Sequence, residues 1–179
     1  MKLIVVNGKP ESGKTTFEKM VAEERGGEGL YTFLLSSIAP IKEIAWKCGW
    51  RGGKEPRDRK FLSDLKDLLT EYCDFSMDWL RKEIRLIEDE MIADGVDLNR
   101  IWIFVDIREP EEIARFCKEW NAMSLLIQRP DHEIGEPSNH ADAYIDDYEY
   151  DAFVVNHGDL EHLRKQALDF VFAIESKRD

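Results

Sequence analysis

The chain has 179 residues, so it is expected to fold as one domain that buries about 70% of its unfolded surface. With 43% apolar and 35% charged residues, its composition excludes a disordered, collagen-like or membrane-spanning protein. The formal net charge of −12 disfavours nucleic acids and anionic lipids as partners, and an anionic small molecule would need a local basic pocket.

Five short apolar runs predict buried strands. They are Lys2–Asn7, Leu30–Ser36, Ile101–Asp106, Met123–Gln128 and the shorter Ala152–Asn156. Each run is apolar throughout rather than alternating, which predicts strands covered on both faces, as in a parallel sheet.

Helical periods separate these runs. Apolar residues recur at helical spacing between positions 61 and 72, 80 and 91, 113 and 120, and 160 and 174, and we expect these stripes to face the core. Pro110 among three glutamates predicts a helix start, and Gly95 predicts a stop. Strands alternating with helices predict a doubly wound α/β sheet with helices on both faces.

Two segments break this rhythm. Residues 49–60 are basic, whereas residues 129–151 carry eight acids and no cation after Arg129. Neither segment is long enough for a second domain, so both are predicted to be loops over a sheet edge, where ligands and lids lie.

Cysteine usage and the chain start suggest the compartment. Cys48, Cys73 and Cys117 are widely spaced and lack metal-binding spacing, which is typical of a reduced protein. The first apolar run is too short for a signal peptide, and we expect a cytoplasmic location.

A phosphate-binding loop is the most specific motif. Gly8–Thr15 matches G-x-x-x-x-G-K-[ST], between a predicted strand and a predicted helix. Gly8 and Gly13 allow backbone angles that turn N–H groups toward phosphate oxygens, so a plain glycine turn is the weaker interpretation. Lys14 would reach the β- and γ-phosphates of a bound nucleotide, and Thr15 would offer its hydroxyl to Mg²⁺. The predicted nucleotide contacts also include Lys9, Pro10, Glu11, Ser12 and Thr16.

A charged pair follows the third predicted strand. Asp106 and Arg108 point to the same side because side chains alternate along a strand. At this end of an open α/β sheet, the carboxylate could orient Mg²⁺ or an attacking oxygen, and the guanidinium could hold an acceptor phosphate. Glu112 is expected to anchor Arg108, although an ordinary strand-end ion pair remains an alternative.

The basic stretch 51–60 is the only dense positive cluster of this acidic sequence. It is either a solvated surface or an electrostatic seat for a phosphorylated acceptor. Lys42, just beyond the second strand, could face the same crevice.

Together these motifs resemble phage and bacterial deoxynucleoside monophosphate kinases and, more distantly, phosphomevalonate kinases of the animal type. The resemblance spans nearly the whole chain. It is carried by the phosphate loop, Pro40-Ile41-Lys42, Asp106-x-Arg108-x-x-x-Glu112, Arg129-Pro130 and Asn156-x-Gly158, in that order.

The resemblance implies a P-loop fold of three α/β/α layers, with a five-stranded parallel sheet ordered 2-3-1-4-5. Residues 1–179 would form one domain, with an acceptor-binding insertion at about 37–95 and a lid at about 129–148. The implied reaction moves the γ-phosphoryl group of ATP to a (deoxy)nucleoside monophosphate.

Site roles follow from the same resemblance. Lys14 would act on ATP, Thr15 and Asp106 would lie at the metal, and Arg129 would approach the transferred group. The implied acceptor-binding residues are Lys42, Arg59 and Arg108, and the implied adenine contacts are Asn156 and Gly158.

Two other functions fit the sequence. One is a P-loop kinase of a different phosphorylated metabolite, and the other is an ATP-binding protein without turnover. The sequence leaves open whether the protein is a monomer or a homodimer.

Overall fold

The computed structural model describes residues 1–26, 29–130 and 144–176. In chain order its elements are β1 (Lys2–Asn7), α1 (Lys14–Arg25), β2 (Tyr31–Ser36), α2 (Ala39–Lys47), α3 (Pro56–Cys73), α4 (Phe75–Ala93), β3 (Ile101–Asp106), α5 (Pro110–Trp120), β4 (Met123–Gln128), β5 (Ala152–Val155) and α6 (Leu160–Glu175). Short 3₁₀ turns at Leu98–Arg100 and Ile145–Asp147 precede β3 and β5.

All five strands pair in parallel, in the order β2-β3-β1-β4-β5. This confirms the predicted fold class and strand order. Because the strands are parallel, their carboxyl ends meet along one edge of the sheet, where ligands of open α/β folds bind.

Side-chain alternation divides the core into two layers. In β1, Leu3 and Val5 pack with apolar residues of α4 and α5, whereas Ile4 and Val6 pack with α1 and α6. The central strands are therefore covered on both faces, as their unbroken apolar sequences predicted. Among the described residues, no helix is long and apolar enough to cross a membrane.

The edge strand β2 differs from the prediction. Its side chains are exposed or half-buried, with Tyr31 and Leu34 exposed by 38% and 40%. Leu30 and Asn156 also fall outside the observed bounds of β2 and β5. A run of apolar residues predicts a strand but does not reveal whether that strand lies at the edge of the sheet.

Helix α3 contains the largest error of the core prediction. Its apolar stripe, expected to be buried, leaves Phe61, Leu68 and Tyr72 exposed by 38%, 63% and 84%. The one buried residue of α3, a helix that lies wholly within the described ranges, is Lys66. The helix therefore turns a charged residue inward, for a reason that its periodicity could not reveal.

The segment 49–60 is only partly a loop. Helix α3 begins at Pro56, which occupies the first turn where its missing N–H costs nothing. Helix α2 was not predicted, although it too has a proline in its first turn and buries Ile41 and Ala45, four residues apart.

Candidate active site

The phosphate loop connects β1 to α1 in a conformation that requires glycine. Gly8 and Gly13 have φ angles of 152° and 100°. A Cβ on Gly8 would lie 2.4 Å from the carbonyl oxygen of Ile127, and one on Gly13 would lie 2.5 Å from Nδ2 of Asn156. The atoms around the loop therefore leave no room for side chains at the two positions where the motif has glycine.

Lys14 starts α1 and is buried beneath the loop. Its Nζ donates to the carbonyl oxygen of Gly8 at 2.6 Å and to that of Lys9 at 3.4 Å. Thr15 and Thr16 are exposed in the first turn of α1, where helix N–H groups favour anions.

A cleft of about 460 Å³ opens above this loop, and we call it the loop cleft. Residues 10–16 form its floor, and Asp106 and Arg108 form one wall. The opposite wall contains Arg129, Asn156 and Gly158. The predicted contacts Gly8, which is buried, and Lys9, which is exposed, are not among its lining residues.

The opposite wall is hydrogen-bonded to the loop. Asn156 donates from Nδ2 to the carbonyl oxygen of Ser12 at 2.9 Å and accepts from the N–H of Gly158 at 2.8 Å. Arg129 donates to the carbonyl oxygen of Glu11 at 3.3 Å. These contacts fix the loop from the β5 side of the sheet.

The proposed lid, about 129–148, can be described only at its ends, because residues 131–143 lie outside the described residues. At its far end, Ile145 is buried in the core beside α5.

A second cleft of about 560 Å³ adjoins the first, and we call it the basic cleft. It contains the three residues assigned to an acceptor, Lys42, Arg59 and Arg108. Lys54 and Lys66 add two further cations. The same lining also contains four acids, Glu11, Asp67, Asp106 and Glu109, so its cations exceed its acids by one. The expected grouping of acceptor residues therefore occurs, although the cations come from four different parts of the chain.

The two clefts share a wall. Pro10, Glu11, Asp106 and Arg108 line both of them. Asp106 is the last residue of β3 and Arg108 lies two residues beyond it, so both are beside the carboxyl end of β1. A ligand in either cleft would touch the same carboxylate and guanidinium.

Asp106 has features of a ligand-binding carboxylate. Its Oδ1 is buried and has no hydrogen-bond partner. A buried oxygen left without a partner is costly unless something binds it. Together with the Thr15 hydroxyl in the same cleft, it fits the oxygen ligands that Mg²⁺ takes when substrate phosphates supply the rest.

Glu18 is a buried acid that the sequence analysis did not identify. Burial, and then the negative charge of Asp106, raises the pKa of Glu18 to about 7, although Lys14 opposes the shift. Below neutral pH, Glu18 is therefore largely protonated and adds little negative charge beside Asp106.

Asn7 was also missed, and the sequence favoured a core position for Trp50 over a contact with a base. Fully buried Asn7 donates to the carbonyl oxygen of Arg108 at 3.1 Å and to the hydroxyl of Tyr150 at 2.7 Å, and accepts from the N–H of Gly8 at 2.8 Å. Trp50 lines the basic cleft, where its indole donates to the carbonyl oxygen of Gly53 at 3.2 Å. An amide at a strand end and a tryptophan in a glycine-rich loop give no distinctive sequence signal.

The expected partner of Glu112 was wrong. Its carboxylate pairs with Lys66 at 2.7 Å rather than with Arg108. Helix α3 brings Lys66 to this point, a long-range contact that the spacing of Arg108 and Glu112 could not predict.

No protein-family model matches the chain, and no curated protein matches it. Similar solved structures include a cysteine-to-alanine variant of the APS kinase of Mycobacterium tuberculosis, with 11% identity, a TM-score of 0.44 and coverage of 95% of this chain and 96% of that one. The shikimate kinase of Aquifex aeolicus has 14% identity and a TM-score of 0.45, with coverage of 97% of this chain and 98% of that one. A sugar kinase of Janibacter has 18% identity and a TM-score of 0.45, with coverage of 96% of this chain and 94% of that one. At these values the neighbours do not identify a reaction, so the fold assignment comes from the strand order and phosphate loop of this chain.

Proposed function

We propose that the protein transfers the γ-phosphoryl group of ATP to a (deoxy)nucleoside monophosphate. The observation that carries this proposal is the wall shared by the loop cleft and the basic cleft. A triphosphate on the loop and a phosphorylated acceptor among the cations would meet over Asp106 and Arg108. In-line phosphoryl transfer requires this end-to-end placement of two anionic substrates.

The roles of the residues follow from charge. Lys14 and the loop N–H groups hold the donor phosphates, and Arg129 adds a cation from the opposite wall. Arg108 binds the acceptor phosphate, together with Lys42 and Arg59. Thr15 and Asp106 would hold Mg²⁺, which neutralises charge on the donor phosphates when bound.

The chemistry needs no strong base. An ionised oxygen of the acceptor phosphate forms the new bond to the γ-phosphorus, while the bond to the β–γ bridging oxygen breaks and ADP departs. Charge spreads over the transferred group in the transition state, so fixed cations contribute most of the catalysis.

Trp50 favours a nucleotide over a phosphorylated metabolite without a ring. Trp50 lines the basic cleft, where its indole would pack against a base. The hydrogen bond to Gly53 restricts its orientation.

A coupled ADP-release assay tests the reaction. The acceptors are the four deoxynucleoside monophosphates and phosphomevalonate, each with ATP and Mg²⁺. We expect turnover with at least one nucleotide and little without an acceptor. Turnover only with phosphomevalonate would replace the acceptor class, and ATP binding without acceptor-stimulated turnover would refute the enzyme.

Two variants test the residue roles. Lys14→Ala should lower kcat roughly a hundred- to a thousandfold, whereas Arg108→Ala should raise the acceptor KM and lower kcat together. The matched controls are Lys19→Ala, on the exposed face of α1, and Arg164→Ala, on α6, where Arg164 pairs with Glu23 and Glu24. Unchanged activity in both test variants would contradict the assignment.

A further inference from the structure

Lys66 and Glu112 form a buried ion pair at the edge of the basic cleft. Their charged atoms are 2.7 Å apart, and their side chains are only 10% and 6% exposed. Lys66 comes from α3, and Glu112 from the first turn of α5. On the same helix, Lys60 and Asp64 form a pair of equal length whose side chains are 74% and 59% exposed.

A packing role alone does not require these charges. Two ions lose most of their hydration when buried, and their attraction often does no more than offset that loss. Apolar side chains of similar size commonly stabilise such a site equally well or better. The charges of Lys66 and Glu112 therefore call for an explanation other than stability.

The position of Lys66 in the basic cleft supplies such an explanation. Lys66 lines the basic cleft together with Arg59, two helical turns before it, and with Arg108. An ammonium group has three N–H donors, and the hydrogen bond described for Lys66 uses one of them, toward Oε2 of Glu112. Its remaining donors can bind an anionic ligand without breaking that pair.

We propose that Lys66 binds the phosphate of the acceptor and that Glu112 is its positioning residue. This inference rests on the proposed function, because it assigns a further group to the same acceptor site. Among the cations of the basic cleft, Lys66 is the most deeply buried in the described structure. A phosphate that reaches it is shielded from water, so its charge-assisted hydrogen bond is stronger than one made to the exposed Lys42.

The test removes both charges together. Lys66→Met alone would leave the carboxylate of Glu112 buried and unpaired, and that variant could simply unfold. The double variant K66M/E112L replaces the pair with apolar groups of similar size, so we expect a melting temperature no lower than that of wild type. The exposed pair on α3 gives the matched control, K60M/D64L, because neither residue of that pair lines the loop cleft or the basic cleft.

Isothermal titration measures binding of each deoxynucleoside monophosphate and, separately, of ATP with Mg²⁺. In K66M/E112L we expect roughly ten- to hundredfold weaker monophosphate binding and unchanged ATP binding. The control K60M/D64L should match wild type in both titrations. Lys66→Arg should retain part of the monophosphate affinity. Glu112→Gln should raise the acceptor KM more than it lowers kcat, an asymmetry that a purely structural pair would not produce.

The outcomes separate this inference from the proposed reaction. A stable K66M/E112L protein that binds monophosphate like wild type would overturn the role of Lys66. Wild type that binds no monophosphate would overturn it as well. Wild type that binds a monophosphate without phosphorylating it would refute the proposed reaction, and the titration of K66M/E112L would still decide the role of Lys66.

Discussion

The buried amide of Asn7 gives the sharpest stability prediction. In Asn7→Leu, the N–H of Gly8 and the carbonyl oxygen of Arg108 lose hydrogen bonds of 2.8 and 3.1 Å. Each such loss inside a protein costs about 1–3 kcal/mol, and burial of leucine offsets part of it. The hydroxyl of Tyr150 keeps its hydrogen bond to Ile145, so we expect a net loss of about 3 kcal/mol.

Urea unfolding of both proteins measures this loss, with the slope of the transition unchanged. For a chain of this length, the corresponding fall in melting temperature is about 6–12 °C. Tyr150→Phe is a comparison variant, because it removes the hydrogen bond from Asn7 to the Tyr150 hydroxyl and the one from that hydroxyl to Ile145, and leaves the other two hydrogen bonds of Asn7 in place. We expect this variant to lose about 1–2 kcal/mol.

A loss below about 1 kcal/mol in Asn7→Leu would refute the reasoning. That result would mean that water or a backbone shift satisfies Gly8 and Arg108 once the amide is removed. The phosphate loop would then be held by its own conformation rather than by Asn7.

Other buried groups have measurable consequences. Folding raises the pKa of Glu18 from 4.5 to about 7. The contribution of Glu18 to the stability of the fold is therefore fully present below a pH of 4.5 and is lost as the pH rises through 7. In urea titrations, the free energy of unfolding of Glu18→Gln should therefore equal that of wild type at about pH 4 and exceed it by about 3 kcal/mol at about pH 8. A difference that does not change with pH would show that the titration of Glu18 is not its cause. Arg25→Lys should lower the free energy of unfolding by about 2–4 kcal/mol in thermal unfolding, because the buried guanidinium stacks 3.8 Å from the centre of the Trp102 ring. Its activity should be unchanged, because Arg25 lines neither cleft. Full stability of the variant would show that an ammonium group suffices at this position. Gly13→Ala should bind ATP at least about tenfold more weakly in calorimetry, because its Cβ would meet Asn156. The control Gly95→Ala, also at positive φ but in open space, should bind ATP like wild type. Equal affinities in the two variants would contradict the steric argument.

The sequence predicted the parts of the fold that depend on local pattern. Buried central strands are apolar throughout, and a phosphate loop needs glycine at two fixed positions, so β1 and Gly8–Thr15 are visible without any tertiary information. The sheet order 2-3-1-4-5 came from the resemblance and is confirmed. No local pattern of this chain specifies which strand neighbours which.

The errors share a physical cause, since each depends on a neighbour distant in sequence. The apolar stripe of α3 predicts a helix, but only the packed structure reveals that Lys66 faces inward, toward Glu112 on α5. Asn7 gains its role from Arg108 and Tyr150, which lie more than 100 residues away. Side chains that form the site through long-range hydrogen bonds leave no periodic signal.

Asn7 also connects the two clefts. Its side chain bonds to Gly8, at the start of the phosphate loop, and to the backbone of Arg108, whose side chain lines both clefts. One amide therefore holds both the start of the loop and the backbone of a residue that the two clefts share, so its loss is expected to disturb the two clefts together.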